Sequence, residues 1–262
     1  MQIFLYFPPY LWYNLSMNIL IVNDDGVYAS GIITLAKALS PNHKVTVVAP
    51  HKQMSGKSHS MSFHECVNYI KLDLIDGVDC YATSGTPADC VKMGIDLILG
   101  YKPDLVISGI NNGYNLGTDV LYSGTVGASV EAALMGVPSL AVSQNYHLNN
   151  YTYSADFVAR HLDSLYRMLT TACSILSINI PYCDERYIKG VKFAKIGNHV
   201  YTDNYVDCGL DGYLLTGEPI EDIENEDDAD VRYIREGYIT ISPVRADFND
   251  YTAYQILKDI DL

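Results

Sequence analysis

The chain has 262 residues, 48% of them hydrophobic, and a formal charge of −14. That length and apolar content suit one large domain with a sizeable core. The acidic balance excludes a nucleic-acid polymer or an anionic membrane surface as partner, because both demand clustered Lys and Arg.

The opening segment, MQIFLYFPPYLWYNLS, is apolar and aromatic. It lacks the basic start of a secretory signal, carries Pro-Pro in its middle and is too short to span a bilayer. With Met17 immediately before the first strand, residues 1–16 read as an upstream in-frame addition to a single domain over 17–262.

NILIVN (18–23) is an apolar run of strand length, GIITLAKALS (31–40) a helix with Ile32, Leu35, Ala36 and Leu39 on one face, and KVTVVAP (44–50) a second strand. SGTPADC (84–90) has the look of a helix start, with Thr86, Pro87 and Asp89 as capping residues for a helix over 89–100. DLVISG (104–109), a helix over 125–136 and PSLAVS (138–143) follow. Buried strands alternating with amphipathic helices imply a doubly wound, mostly parallel α/β sheet covered on both faces. A helix over 154–171 turns Phe157, Leu162, Leu165 and Leu169 inward and completes a core of 17–171. Over 172–262 the character changes: ILSINIP, GVKFAKIG and GYITISPV alternate as half-exposed strands of a β-rich appendage, and EPIEDIENEDDAD (218–230) reads as a solvated acidic loop.

In such sheets ligands bind beyond the carboxyl ends of strands, where strand order reverses. Three polar segments fall there. Asp24 and Asp25 leave the first strand side by side, an arrangement that repels itself unless a positive charge lies between them. Gly26 follows them, and the pair suits a hard, oxygen-loving cation such as Mg²⁺ or Mn²⁺. Taken alone, Asp-Asp-Gly is also ordinary turn chemistry. The long loop SGINNGYNLGTDVLYSGTVGAS (108–129) offers neutral oxygens from Asn111, Asn112 and Asn115. Its Ser123-Gly124-Thr125 turn opens a helix whose unpaired N–H groups suit a phosphate, with N-capping by Ser123 or Thr125 as the simpler role. HKQMSGKSHS (51–60) is a flexible polar loop at another strand exit, and its His59 is the most suggestive of the seven histidines. The sequence contains no GxSxG, HExxH, GxxxxGK[ST] or GxGxxG pattern after the first strand, so serine-hydrolase, zinc-protease and dinucleotide readings lose their usual support. Cys66, Cys80, Cys90, Cys173, Cys183 and Cys208 form no CxxC pair and read as scattered thiols of a reducing, cytoplasmic setting.

Four motifs occur in series: MNILIVNDDGVYASGI, APHKQMSGKSHS, SGTPADCV and PDLVISGINNGYNLGTDVLYSGTVGAS. In this order and spacing the chain resembles the SurE family of metal-dependent survival-protein nucleotidases. The likeness is specific from Met17 to about Ser143 and looser beyond, through LSINIP and EGYITISPV. It implies a Rossmann-like core with a β-hairpin and C-terminal segment exchanged between subunits of a homodimer or homotetramer. It also implies hydrolysis of nucleoside 5′-monophosphates to nucleoside and phosphate, with 3′-nucleotides and short polyphosphate as side substrates. One divalent cation per subunit would be held by Asp24, Asp25, Ser55 and Asn111. Asn115, Ser123, Gly124 and Thr125 would contact phosphate, and Asp24 and Asp25 would be the catalytic pair. We favour a metal-activated water with Asp24 as ligand and base, a covalent aspartate nucleophile being the alternative. The segment 1–16 and the acidic run 218–230 depart from the family pattern. A metal-dependent nucleoside N-glycosidase and a nucleotide-binding sensor without turnover are the competing readings.

Overall fold

The structure, a computed structural model, describes residues 16–260 apart from 149, 183, 221–222 and 259. The reading of the upstream segment therefore falls, but for Ser16, outside the described residues.

The first strand, β1 (Asn18–Val22), is apolar on both sides and lies at the centre of the sheet. Its odd residues Ile19 and Ile21 join a core with α1 (Ser30–Leu39), while Leu20 and Val22 join a second core on the opposite face. Side chains alternate across a strand, so a strand apolar throughout needs a layer on each side. α1 buries Ile32, Leu35, Ala36 and Leu39, the face that the spacing predicts.

Beyond β2 (Lys44–Pro50), an antiparallel hairpin of β3 (Tyr69–Ile75) and β4 (Val78–Thr83) forms one end of the sheet. Next, α2 (Pro87–Met93) opens on a reciprocal cap: Thr86 Oγ1 accepts from the Asp89 N–H, and the Asp89 carboxylate accepts from the Thr86 N–H. It relaxes into a wider π-helical turn over Gly94–Leu99. β5 (Leu105–Asn112), a 3₁₀ turn (Gly117–Leu121), α3 (Gly124–Leu134) and β6 (Ser139–Gln144) follow. α4 (Thr152–Thr171) buries Phe157, Leu162, Leu165 and Leu169 against the α1 face.

β7 (Ile175–Ile180), β8 (Val191–Phe193) and β11 (Ile239–Val244) extend the same sheet, giving the order β3-β4-β2-β1-β5-β6-β7-β11-β8. β1, β2, β4, β5, β6 and β7 run parallel. β7 is buried along its whole length rather than half-exposed, because α3 and α4 pack over it as well as β6 and β11 flanking it. The hairpin of β9 (Asn204–Gly209) and β10 (Gly212–Thr216) stands apart as a two-stranded sheet. α5 (Asp230–Arg235) precedes β11, and α6 (Tyr251–Leu257) buries none of its residues in this chain.

Strand order reverses between β1 and β5: from β1 the chain steps to β2 on one side and later returns to place β5 on the other. The crevice beyond their carboxyl ends is where an open α/β sheet binds its ligand.

Candidate active site

Asp24 and Asp25 stand at that reversal. Asn23 fixes the turn that carries them, its side chain accepting from the Gly26 N–H at 3.1 Å and donating to the Gly26 carbonyl at 3.0 Å. Gly26 itself adopts φ +103°, a left-handed conformation that a side chain would strain. Across the crevice, the Asn112 N–H donates to Asp25 Oδ2 at 3.0 Å, tying the end of β5 to the end of β1.

From the other side comes the start of α3. Ser123 is its N-cap, accepting from the Val126 N–H at 3.0 Å. The Thr125 hydroxyl donates to Asp24 Oδ1. Gly124 lies so close that a Cβ there would come within 2.9 Å of the Asp24 Cβ. A helix N-terminus, with its unpaired N–H groups and partial positive charge, thus abuts a buried carboxylate.

Burial pushes the Asp24 carboxyl up to about 6; the Thr125 hydroxyl opposes the shift, and the neighbouring Asp25 charge adds to it. Burial also raises Asp25, opposed by the Asn112 N–H. Among the described residues no Lys, Arg or His forms an ion pair with either aspartate. Two adjacent, desolvated carboxylates without a protein counter-charge fit a hard cation, as do the neutral oxygens around them.

The remaining predicted residues divide. Asn111 is buried at the end of β5, its amide donating to the Gly113 carbonyl at 2.9 Å. Gly109 makes the bend that takes it there: φ is +139°, and a Cβ would lie 2.3 Å from the Val142 carbonyl oxygen. Ser55 is exposed on the loop after β2, one residue beyond Met54, whose N–H donates to the Asp24 carbonyl at 2.7 Å. Asn115 is set further back, with its amide donating to Ser143 Oγ at 2.8 Å and its N–H to Asn179 Oδ1 at 2.9 Å. The geometry therefore joins Asp24, Gly124 and Thr125 directly, brings Asp25 to Asn112, and ties the Asn115 amide nitrogen to Ser143.

Two features escaped the sequence reading. The Asn112 N–H on Asp25 is a backbone group with no sequence signal. Glu131 is buried on α3 between His59 and Lys92; a lone acid at an inward helical position was its only signal. The acidic run also ends differently from a solvated loop, since Asp230 is fully buried and accepts the N–H groups of Gly117, Gly197 and Val231.

A family model, Survival protein SurE, matches residues 19–203. The chain belongs to the SurE family. The 5′-nucleotidase SurE of Clostridium beijerinckii is 42% identical over 252 residues, spanning 93% of this chain and 98% of its own. That of Thermosipho africanus is 44% identical over 234 residues, 87% of this chain and 91% of its own. The crystal structure of the SurE protein from Aquifex aeolicus superimposes with a TM-score of 0.80 at 33% identity, covering 92% of this chain and 98% of that one. This SurE chain thus shares its α/β architecture with a solved relative across almost its full length.

Proposed function

We propose that the chain is a 5′-nucleotidase, a cation-dependent phosphomonoesterase that hydrolyses nucleoside 5′-monophosphates to nucleoside and inorganic phosphate. The observation that carries this reading is the juxtaposition of the Asp24–Asp25 pair with the N-terminus of α3 at the strand-order reversal. Relatives named 5′-nucleotidase SurE, about 40% identical over most of the chain, support it. The side substrates are 3′-nucleotides and short polyphosphate.

Asp24, Asp25, Ser55 and Asn111 would hold one Mg²⁺ or Mn²⁺, which supplies Lewis-acid neutralisation of charge on the phosphoryl oxygens. The Ser123-Gly124-Thr125 turn and the Asn115 side chain contact the non-bridging oxygens, the turn through groups other than the Ser123 N–H, which donates to the Asp119 carbonyl at 3.1 Å. Asp24 accepts a proton from the attacking water as the water oxygen bonds to phosphorus; the bond from phosphorus to the ribose 5′-oxygen breaks, and that oxygen leaves as the hydroxyl by taking up the proton Asp24 received. The Thr125 hydroxyl keeps that carboxylate oriented.

The chain acts as a homodimer or homotetramer. The β9–β10 hairpin leaves Tyr205, Val206, Tyr213 and Leu214 exposed, as α6 leaves Tyr254, Ile256 and Leu257. Apolar side chains of this number need a cover, which exchange of the hairpin and C-terminal segment between subunits provides. No described helix is long and apolar enough to cross a membrane. Cys66, Cys80, Cys90, Cys173 and Cys208 are free thiols, which suits a cytoplasmic enzyme.

The test is phosphate release from AMP and GMP with Mn²⁺ or Mg²⁺. Activity is expected to vanish with EDTA and in Asp25→Asn. Undiminished turnover in either case overturns the proposal, and release of free base in place of phosphate assigns the chain to N-glycosidic chemistry.

A further inference from the structure

The loop after β2 is anchored at two places. At its start the Met54 N–H donates to the Asp24 carbonyl at 2.7 Å. At its far end the Ser58 N–H donates to the Tyr122 carbonyl at 3.0 Å and the Ser58 hydroxyl to the Leu121 carbonyl at 2.6 Å. Next to Ser58, His59 Nε2 donates to Glu131 Oε2 at 2.7 Å. Ser55, Gly56 and Lys57 form an arch between these anchorages, and all three are exposed.

Glu131 sits on α3, the helix whose first turn contacts Asp24. Its other oxygen accepts from Lys92 Nζ of α2 at 3.0 Å, so the buried carboxylate is shared by one partner on the loop and one on a helix. A pair whose basic partner is partly exposed is a weak source of stability, because solvent screens it. What it supplies here is a fixed direction. Gly127, one turn earlier, lets the loop come that close: a Cβ there would lie 2.5 Å from the Ser58 carbonyl oxygen.

We infer that Glu131 is a positioning residue which, by gripping His59, holds the arch so that Ser55 stands ready beside the acid pair. The inference rests on the proposed donor set, in which Ser55 contributes its hydroxyl to the cation. A neutral hydroxyl is a weak ligand, and on a free loop it would have to be ordered at the moment of binding. Tethering the arch to the helix that also bears Thr125 removes that entropic penalty beforehand. Lys92 compensates the Glu131 charge but lies off the loop, so it does not hold the arch.

The experiment is calorimetric titration of the full-length, metal-stripped protein with Mn²⁺, alongside thermal melts in EDTA. His59→Ala and Glu131→Gln are expected to weaken Mn²⁺ binding roughly tenfold, as outer residues of metal sites do. His59→Gln, whose amide can still donate to Glu131, recovers most of the affinity. Lys92→Met lowers the melting temperature yet leaves the Mn²⁺ dissociation constant within about twofold, which separates positioning from simple stability. Bulk electrostatics predicts the reverse for His59→Ala, because losing an imidazole that can carry positive charge should tighten cation binding. Wild-type affinity in His59→Ala overturns the inference, and should Glu131→Gln not fold, His59→Ala decides alone. Wild-type protein that binds no Mn²⁺ overturns the donor set and this inference with it. Metal binding without phosphate release from AMP leaves the inference standing and defeats only the assigned activity.

Discussion

Gly127→Ala separates the stability of this protein from its activity. In an open helix interior the change would be favourable, since Ala exceeds Gly in helix propensity by about 1 kcal/mol. At Gly127 the added methyl would lie 2.5 Å from the Ser58 carbonyl oxygen, 2.8 Å from its carbon and 2.9 Å from His59 Cα. These are backbone atoms, which cannot swing aside as the end of a long side chain would. To restore an ordinary carbon–oxygen separation of about 3.4 Å the loop must retreat by about 1 Å. A movement of that size stretches the bonds from Ser58 to Leu121 and Tyr122 beyond hydrogen-bonding distance. Two such bonds contribute about 1 kcal/mol each, so after the helix gain the net destabilisation is about 1 kcal/mol, or roughly 2–4 °C in melting temperature. A 1 Å misplacement at a catalytic site costs about 10²-fold in rate. The expected result is a near-normal melt by calorimetry with kcat/KM for AMP reduced about a hundredfold in saturating Mn²⁺. A variant with wild-type kcat/KM would refute the view that the Ser55 arch must be seated against α3.

The Asp24 carboxyl gives a pH signature. Its pKa is raised from 3.8 to about 6, so the folded state holds the proton more tightly than the unfolded chain does. The resulting stability is present below about pH 4 and is lost as pH rises through about 6, to a total of about 3 kcal/mol. Metal-stripped Asp24→Asn should therefore exceed metal-stripped wild type in urea stability at pH 8 by up to that amount and match it at pH 4; equal stabilities at both would remove the desolvation argument. Asp230→Ala leaves the N–H groups of Gly117, Gly197 and Val231 without their acceptor. We expect a loss of at least about 3 kcal/mol in urea unfolding, and a loss under 1 kcal/mol would mean that solvent reaches those amides. Gly31→Ala places a Cβ 2.1 Å from the Ile110 carbonyl oxygen and 3.1 Å from a Tyr151 ring carbon, where α1 crosses β5. Soluble expression of that variant should collapse, and an unchanged melting temperature would show the helix free to shift.

Much of this architecture was legible one segment at a time. Strands 18–23, 44–50, 104–109 and 138–143 announced themselves as short apolar runs because a central parallel strand is covered on both faces. The inward faces of α1 and α4 followed from 3.6-residue spacing, and the Thr86–Asp89 cap from three-residue spacing, since each is a contact between near neighbours in sequence. The β3–β4 hairpin went unread although Asp76-Gly77 between two strand-like runs is a turn signal; the exposed, charged face of β3 masks its alternation. Family motifs brought Asp24, Asp25, Ser55, Asn111, Asn115 and the Ser123–Thr125 turn forward as one set, without saying how they meet.

Only the folded chain decided that. Thr125 reaches Asp24 across 101 residues, His59 reaches Glu131 across 72, and Asp230 reaches Gly117 across 113. No periodicity encodes such pairs. The sequence by itself determined where the central strands and the helices that cover them form, because hydrophobic period and capping are local properties. Which carboxylates lose their water, which amides face them and which loop is held against which helix depend on sheet order and on the layers packed over it, and these exist only once distant segments have come together.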